Sequence, residues 1–110
     1  MLKNPECHYK FKYQDIRART LIKTHRYREV IKEFKNVNDP HLIYYVGQSF
    51  YRIHDYPNAL ICLESSISLG EDNTRIIKML LLIHIKDKNF YEAYHVLERS
   101  KHLEIKAKEI

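Results

Sequence analysis

One motif occurs twice in this chain, and its spacing limits what the chain can fold into. Tyr56-x-x-Ala59-x-x-x-Leu63-x-x-Ser66 returns as Phe90-x-x-Ala93-x-x-x-Leu97-x-x-Ser100, with every position displaced by 34 residues. A weaker copy, Tyr27-x-x-Val30-x-x-x-Phe34, stands 29 residues ahead of the first. Offsets of three and four keep these side chains on one face of a helix. A period of this length holds a helix, a turn and a second helix, which bury their apolar faces only by stacking on neighbours. Small residues at Ala59 and Ala93 let the second helix of each pair approach the first closely. The aromatic residue just past the turn wedges the two apart.

The remaining sequence fits the same architecture. Leu42, Ile43, Val46, Phe50 and Ile53 paint one helical stripe, opened by Asp39 as a side-chain cap and Pro40 at the first turn. A second helix opens at Asp55-Tyr56-Pro57, carries Ala59, Leu60, Leu63 and Ile67, and stops at Gly70 as a left-handed residue. Asp72 or Asn73 caps a third, with Ile76, Ile77, Leu80, Leu81, Ile83 and Ile85. Asn89 with Glu92 forms a reciprocal cap for a fourth, whose packed stripe is Phe90, Ala93, Tyr94 and Leu97. Upstream, helices are expected near residues 9–24 and 27–36, the first pair packing through Tyr13, Ile16 and Tyr27. The chain is short enough for one domain of six helices. Two glycines and three prolines are too few for an all-β fold and leave no glycine-rich phosphate loop.

The repeat resembles the tetratricopeptide family. Ile43, Val46, Gly47 and Phe50 stand at its first-helix Trp, Leu, Gly and Tyr positions, and Ala59 and Leu63 at its second-helix Ala and Phe positions. Ile77, Leu80, Leu81 and His84, then Ala93 and Leu97, repeat this. The family's closing Pro is replaced by Glu71 and Ile105, and Leu81 takes a place usually held by a small residue. Ala18, Leu21, Tyr27 and Phe34 are the best matches in a degenerate first repeat. The resemblance implies an all-α fold of three tandem helix-turn-helix repeats, about 9–38, 39–72 and 73–103, in a short right-handed solenoid with a tail over 104–110. Such arrays bind partners through a groove lined by their first helices. It implies groove residues Lys12, Asp15, Arg19 and Lys23, then His41, Tyr44, Gln48 and Arg52, and Arg75, Lys78, Leu82 and Lys86. Basic side chains interleaved with tyrosine suit an acidic or carboxylate-bearing peptide.

Two narrower comparisons sharpen this expectation. Asp39-Pro40-x-x-x-Tyr44-Tyr45-x-Gly47-Gln48-Ser49-Phe50-Tyr51, followed by Asp55-Tyr56-x-x-Ala59, is similar to the N-terminal repeats of anaphase-promoting complex scaffold subunits, which homodimerise through them. That similarity implies a cell-cycle assembly subunit and a possible homodimer. Repeat domains that clamp the C-terminal carboxylate of heat-shock chaperones carry Lys, Asn, Asn, Lys and Arg at five positions. This chain has Asp15, Arg19, Tyr45, Arg75 and Met79 there, so only Arg75 is chemically similar and that ligand is not implied.

Charge and chemistry set the competing classes. Of 19 Lys and Arg against 14 Asp and Glu, residues 1–36 hold ten and four, a balance of +6, whereas residues 37–110 hold nine and ten. Lys10, Lys12, Arg17, Arg19, Lys23, Arg26 and Arg28 interleave with Phe11 and Tyr13, a pattern that neutralises phosphates and stacks on unpaired bases. The alternative to a protein scaffold is therefore a ribosome- or RNA-associated helical repeat protein bound through this basic first third. No catalytic motif is present, so no enzyme is expected. His95 and His102, seven residues apart, sit about 10 Å apart along a helix axis. With Glu92 and Arg99 they make no metal site, and no cofactor is expected. Cys7 and Cys62 make no disulfide framework. Met1-Leu2-Lys3-Asn4-Pro5 lacks the apolar core of a signal peptide, so an intracellular protein without a membrane segment is expected, with Cys62 as a packed side chain.

Overall fold

The computed structural model describes residues 5–71 and 74–101, with side chains from Tyr13 onward. It contains six helices: α1 (Pro5–Lys23), α2 (Tyr27–Phe34), α3 (Pro40–Arg52), α4 (Tyr56–Ser68), α5 (Thr74–Lys86) and α6 (Phe90–Arg99). There is no strand among the described residues, and no helix there is long and apolar enough to cross a membrane. The all-helical expectation is met. The proposed caps Asp72 and Asn73 lie outside the described residues, as do His102 and the tail at 104–110.

Local chemistry explains most helix boundaries. The Asp39 carboxylate accepts from the backbone N–H of His41 (2.8 Å) and Leu42 (3.2 Å), which satisfies two orphan donors beside Pro40. Asp55 accepts from the Asn58 backbone and side chain at the start of α4. Asn89 precedes α6 but makes no side-chain cap bond, so the expected reciprocal cap with Glu92 is not formed from that end. Gly70 ends α4 in the left-handed region at φ +108°.

Three other left-handed residues mark the turns inside the helix pairs. His25, His54 and Lys88 have φ of 62°, 68° and 60°. They are spaced by 29 and 34 residues, the same offsets as the sequence motif. The backbone N–H after each closes the same kind of turn: Arg26 to the Leu21 carbonyl, Asp55 to Phe50, Asn89 to His84. His25 and His54 gain a ring contact in return, Nδ1 to the hydroxyls of Tyr27 (2.8 Å) and Tyr56 (2.9 Å). Lys88 is followed two residues on by Phe90, which offers no hydroxyl. Lys88→Gly is therefore expected to raise stability by about 0.5–1 kcal/mol, since glycine adopts this conformation without a Cβ penalty. His54→Gly should gain less, because it forfeits the Tyr56 contact. Urea denaturation of the two variants measures the order.

α3 lies at the centre against α1, α2 and α4, α1 also meets α2, and α5 packs with α6 and more thinly with α4. The α3–α4 contact is the most extensive in the molecule. A Cβ at Gly47 would stand 3.0 Å from Leu63 Cδ2 and 3.2 Å from Cys62 Cβ, so a larger residue there would hold the helices apart. The Ser66 hydroxyl ties α4 to the Pro40 carbonyl at 2.7 Å. A single core joins Ala18, Val30, Phe34, Val46, Leu63 and Leu80, among others, across all the pairs.

Burial departs from expectation at both ends of the molecule. Tyr13 and Ile16, expected to pack the first pair, are 62% and 60% exposed. Among the described side chains of α1 only Ala18 and Leu21 are buried, and both join the central core. On α6 the expected stripe splits. Ala93 and Val96 are buried, whereas Phe90, Tyr94 and Leu97 are 62%, 57% and 47% exposed. Periodicity identifies an apolar face but carries no information on whether a neighbour lies against it.

Candidate functional site

The first helices of the three pairs bring polar side chains to one cleft of about 420 Å³, lined by Arg19, Ile22, Lys23, His41, Tyr44, Tyr45, Gln48 and Arg75. Helix periodicity places them. Arg19 and Lys23 are one turn apart on α1, as are Tyr44 and Gln48 on α3. Arg75 comes from the first turn of α5. Six of the twelve groove residues expected from sequence thus share this cleft. Arg52, Lys78, Leu82 and Lys86 are exposed and lie outside its lining, as does the half-buried Asp15. Lys12 belongs to the α1 backbone, and its side chain is outside the described residues.

A hydrogen-bonded cluster forms one wall. Arg19 Nε donates to the Tyr45 hydroxyl at 2.8 Å, and that hydroxyl donates to Asp15 Oδ1 at 3.0 Å. His41 bridges to the other side, with Nε2 3.0 Å from Tyr45 Oη and 3.2 Å from Asp15 Oδ1, and Nδ1 2.8 Å from Glu71 Oε2. One histidine therefore links α1, α3 and the segment after α4. Asp15 and Glu71 are engaged by this cluster, and Arg19 is held by Tyr45 and Asp15. The guanidinium of Arg19 has its pKa raised, first by the Tyr45 hydrogen bond. Arg75 lies against the Tyr44 hydroxyl, which it draws down while burial pushes it up more strongly.

The sequence pointed to the cations and missed the residues that organise them. Tyr45 and Glu71 bring the wall together, yet each sits in a stretch whose spacing gives no sign of a polar partner thirty residues away.

On the tyrosine and cysteine side chains, three protons are held more tightly in the folded chain than in the unfolded one. Burial raises Tyr44 and Tyr45 above the ordinary tyrosine value of 10.0. Burial first, and then the Asp55 charge, raises the Cys62 thiol above 9.0. Between the unfolded and folded pKa values the unfolded chain has lost these protons and the native chain keeps them, so stability falls as pH rises. The loss should begin near pH 9 and deepen above pH 10, read as a falling urea midpoint. Native Cys62, the free cysteine among the described residues, should correspondingly alkylate more slowly at pH 8 than the same thiol in the urea-unfolded chain.

Among the described residues no group of three or more His, Cys, Asp and Glu side chains is placed to hold a metal ion. The nearest approach to an acid-base constellation is the His41 cluster, and it contains no nucleophile beyond hydroxyls already engaged in hydrogen bonds. The cleft presents cations, an amide and hydroxyl groups on a helical wall. No family model matches the chain, and no curated protein and no solved structure shows significant similarity to it.

Proposed function

We propose that this protein is a non-catalytic interaction scaffold of the tetratricopeptide type. In this reading three tandem helix-turn-helix repeats form a short right-handed solenoid, and the cleft between α1, α3 and α5 receives an acidic segment of a protein partner. The chain then serves as a subunit or adaptor of a larger assembly, of which an anaphase-promoting-complex-like machine is the model that the Asp39–Ala59 stretch suggests. The observation that carries the reading is the convergence of Arg19, Lys23 and Arg75 on one cleft whose carboxylates, Asp15 and Glu71, are already engaged. A peptide carboxylate entering there meets cations, the Gln48 amide and the Tyr44 hydroxyl.

The competing attachment to RNA is weakened by the same geometry. Arg17, one of the basic residues in the first third, is paired with Glu33 at 2.7 Å. Affinity purification of the full chain from its native cell, with and without nuclease, separates the two readings. Partners are expected to survive nuclease and to be lost, by tenfold or more, from the Lys23→Glu, Arg75→Glu double variant. Loss of all co-purifying proteins on nuclease treatment, with only ribosomal or other RNA-borne proteins present before it, would overturn the scaffold in favour of the RNA-associated alternative.

A further inference from the structure

The two ends of the molecule carry the two halves of a contact that the interior makes twice. On the trailing face of each pair, Tyr27, Ile31 and Phe34 correspond to Tyr56, Leu60 and Leu63, and these to Phe90, Tyr94 and Leu97, at the motif offsets of 29 and 34. α2 packs against α3 and α4 against α5, where Lys86 reaches the Tyr56 hydroxyl, while Leu63 also meets Gly47 of α3. Phe34 and Leu63 are 1% and 0% exposed, and the equivalent Leu97 is 47% exposed.

The leading face shows the mirror of this. Tyr13, Ile16 and Thr20 on α1 correspond to Leu42, Tyr45 and Ser49 on α3, and to Ile76, Met79 and Ile83 on α5. The α3 set turns toward the preceding pair, as the bonds from Tyr45 to Asp15 and Arg19 demonstrate. Its members are buried, at 3%, 7% and 0% exposed, whereas Tyr13 and Ile16 on α1 are open.

We propose that copies of this chain stack head to tail, the α6 face of one copy (Phe90, Tyr94, Leu97) receiving the α1 face of the next (Tyr13, Ile16, Thr20). The occupant is a second copy because the helix that packs on α2 is α3 and the helix that packs on α4 is α5, and α1 carries apolar residues at the positions equivalent to theirs. Each contact leaves one open face at either end, so the contact is heterologous and the assembly open-ended. Both ends are basic: residues 1–36 carry +6, and residues 74–110 hold eight Lys and Arg against five Asp and Glu, +3. Apolar contact between like-charged ends strengthens as salt screens the repulsion, the opposite of what nucleic-acid binding shows. The inference rests on the pairwise fold and not on the ligand of the cleft, so its failure leaves the scaffold reading standing.

Sedimentation velocity of the full chain over a range of concentrations tests it. The mean mass should climb with concentration without levelling at two chains, and should climb further as NaCl is raised from 0.1 to 1 M. Ile16→Glu blocks the leading face and Tyr94→Glu the trailing one. Both side chains are more than half exposed, so folding should survive, and circular dichroism checks it. Should either variant unfold, Tyr13→Glu and Leu97→Glu replace them. Each variant alone should stay monomeric, and an equimolar mixture should form a species that stops at two chains. A wild-type mass that levels at two and persists in the Ile16→Glu variant would mean a back-to-back α6 contact and overturn head-to-tail stacking. A single-chain mass at every concentration would overturn it too, and would assign the two faces to the chain's own terminal segments or to another protein.

Discussion

Phe34→Ala is expected to remove about 3–5 kcal/mol of stability. Its ring is 1% exposed, sits at the end of α2, which packs more against α3 than against α1, and belongs to the single core of the molecule. Truncation opens a cavity in that core, and the neighbours framing it are rigid helix faces that collapse only in part. Domains of this size are stable by roughly 5–15 kcal/mol, so the loss is a large fraction of the whole. In urea the midpoint should fall sharply. A midpoint close to that of the wild type would mean that the first pair is only loosely joined to the second.

Gly47→Val tests the opposite fault, overpacking. Gly47 lies inside α3, where glycine costs about 1 kcal/mol relative to alanine. The position accepts that cost because a Cβ would meet Leu63 Cγ at 3.1 Å and Cys62 Cβ at 3.2 Å. Leu63 can turn its branch, but Cys62 Cβ is fixed to the α4 backbone and yields only if α4 moves. Alanine gains in helix propensity what it loses in crowding and should fall within about 1 kcal/mol of the wild type. Valine adds two methyl groups to the crowded side and should cost about 2–3 kcal/mol. At roughly 4–8 °C per kcal/mol this is a drop of well over 5 °C in Tm. A valine variant that melts with the wild type would show that α3 and α4 separate without penalty.

Much of the fold was legible because its causes are local. Asp39-Pro40 and Asp55 cap helices by bonds within three residues, and the 34-residue offset fixes which side chains are equivalent. The left-handed turns were not legible. His25, His54 and Lys88 are residues that rarely adopt that conformation, and here the closure of each pair imposes it. The polar wall of the cleft was half legible. Arg19, Lys23 and Arg75 follow from helix phase, but the link from His41 to Glu71 exists only once the segment after α4 has folded back beside α3. Phe90, Tyr94 and Leu97 have the same pattern as their buried counterparts, and only the absence of a covering helix among the described residues sets them apart.

The unequal joints between helices also shape how the molecule opens. The α4–α5 contact is thinner than that of α2 with α3. It is supplemented at the surface by Arg99 with Glu64 at 3.2 Å and by Lys86 on the Tyr56 hydroxyl at 3.2 Å, exposed bonds of small worth. The α5/α6 hairpin is therefore the segment that detaches at the lowest free energy, while α3, gripped by three neighbours, is the last to let go. Amide protons should exchange in that order, fastest in α6 and slowest in α3. A partner gripping Arg75 and α3 together would close this joint and slow the exchange of the whole hairpin, so binding would be read as rigidity far from the cleft itself.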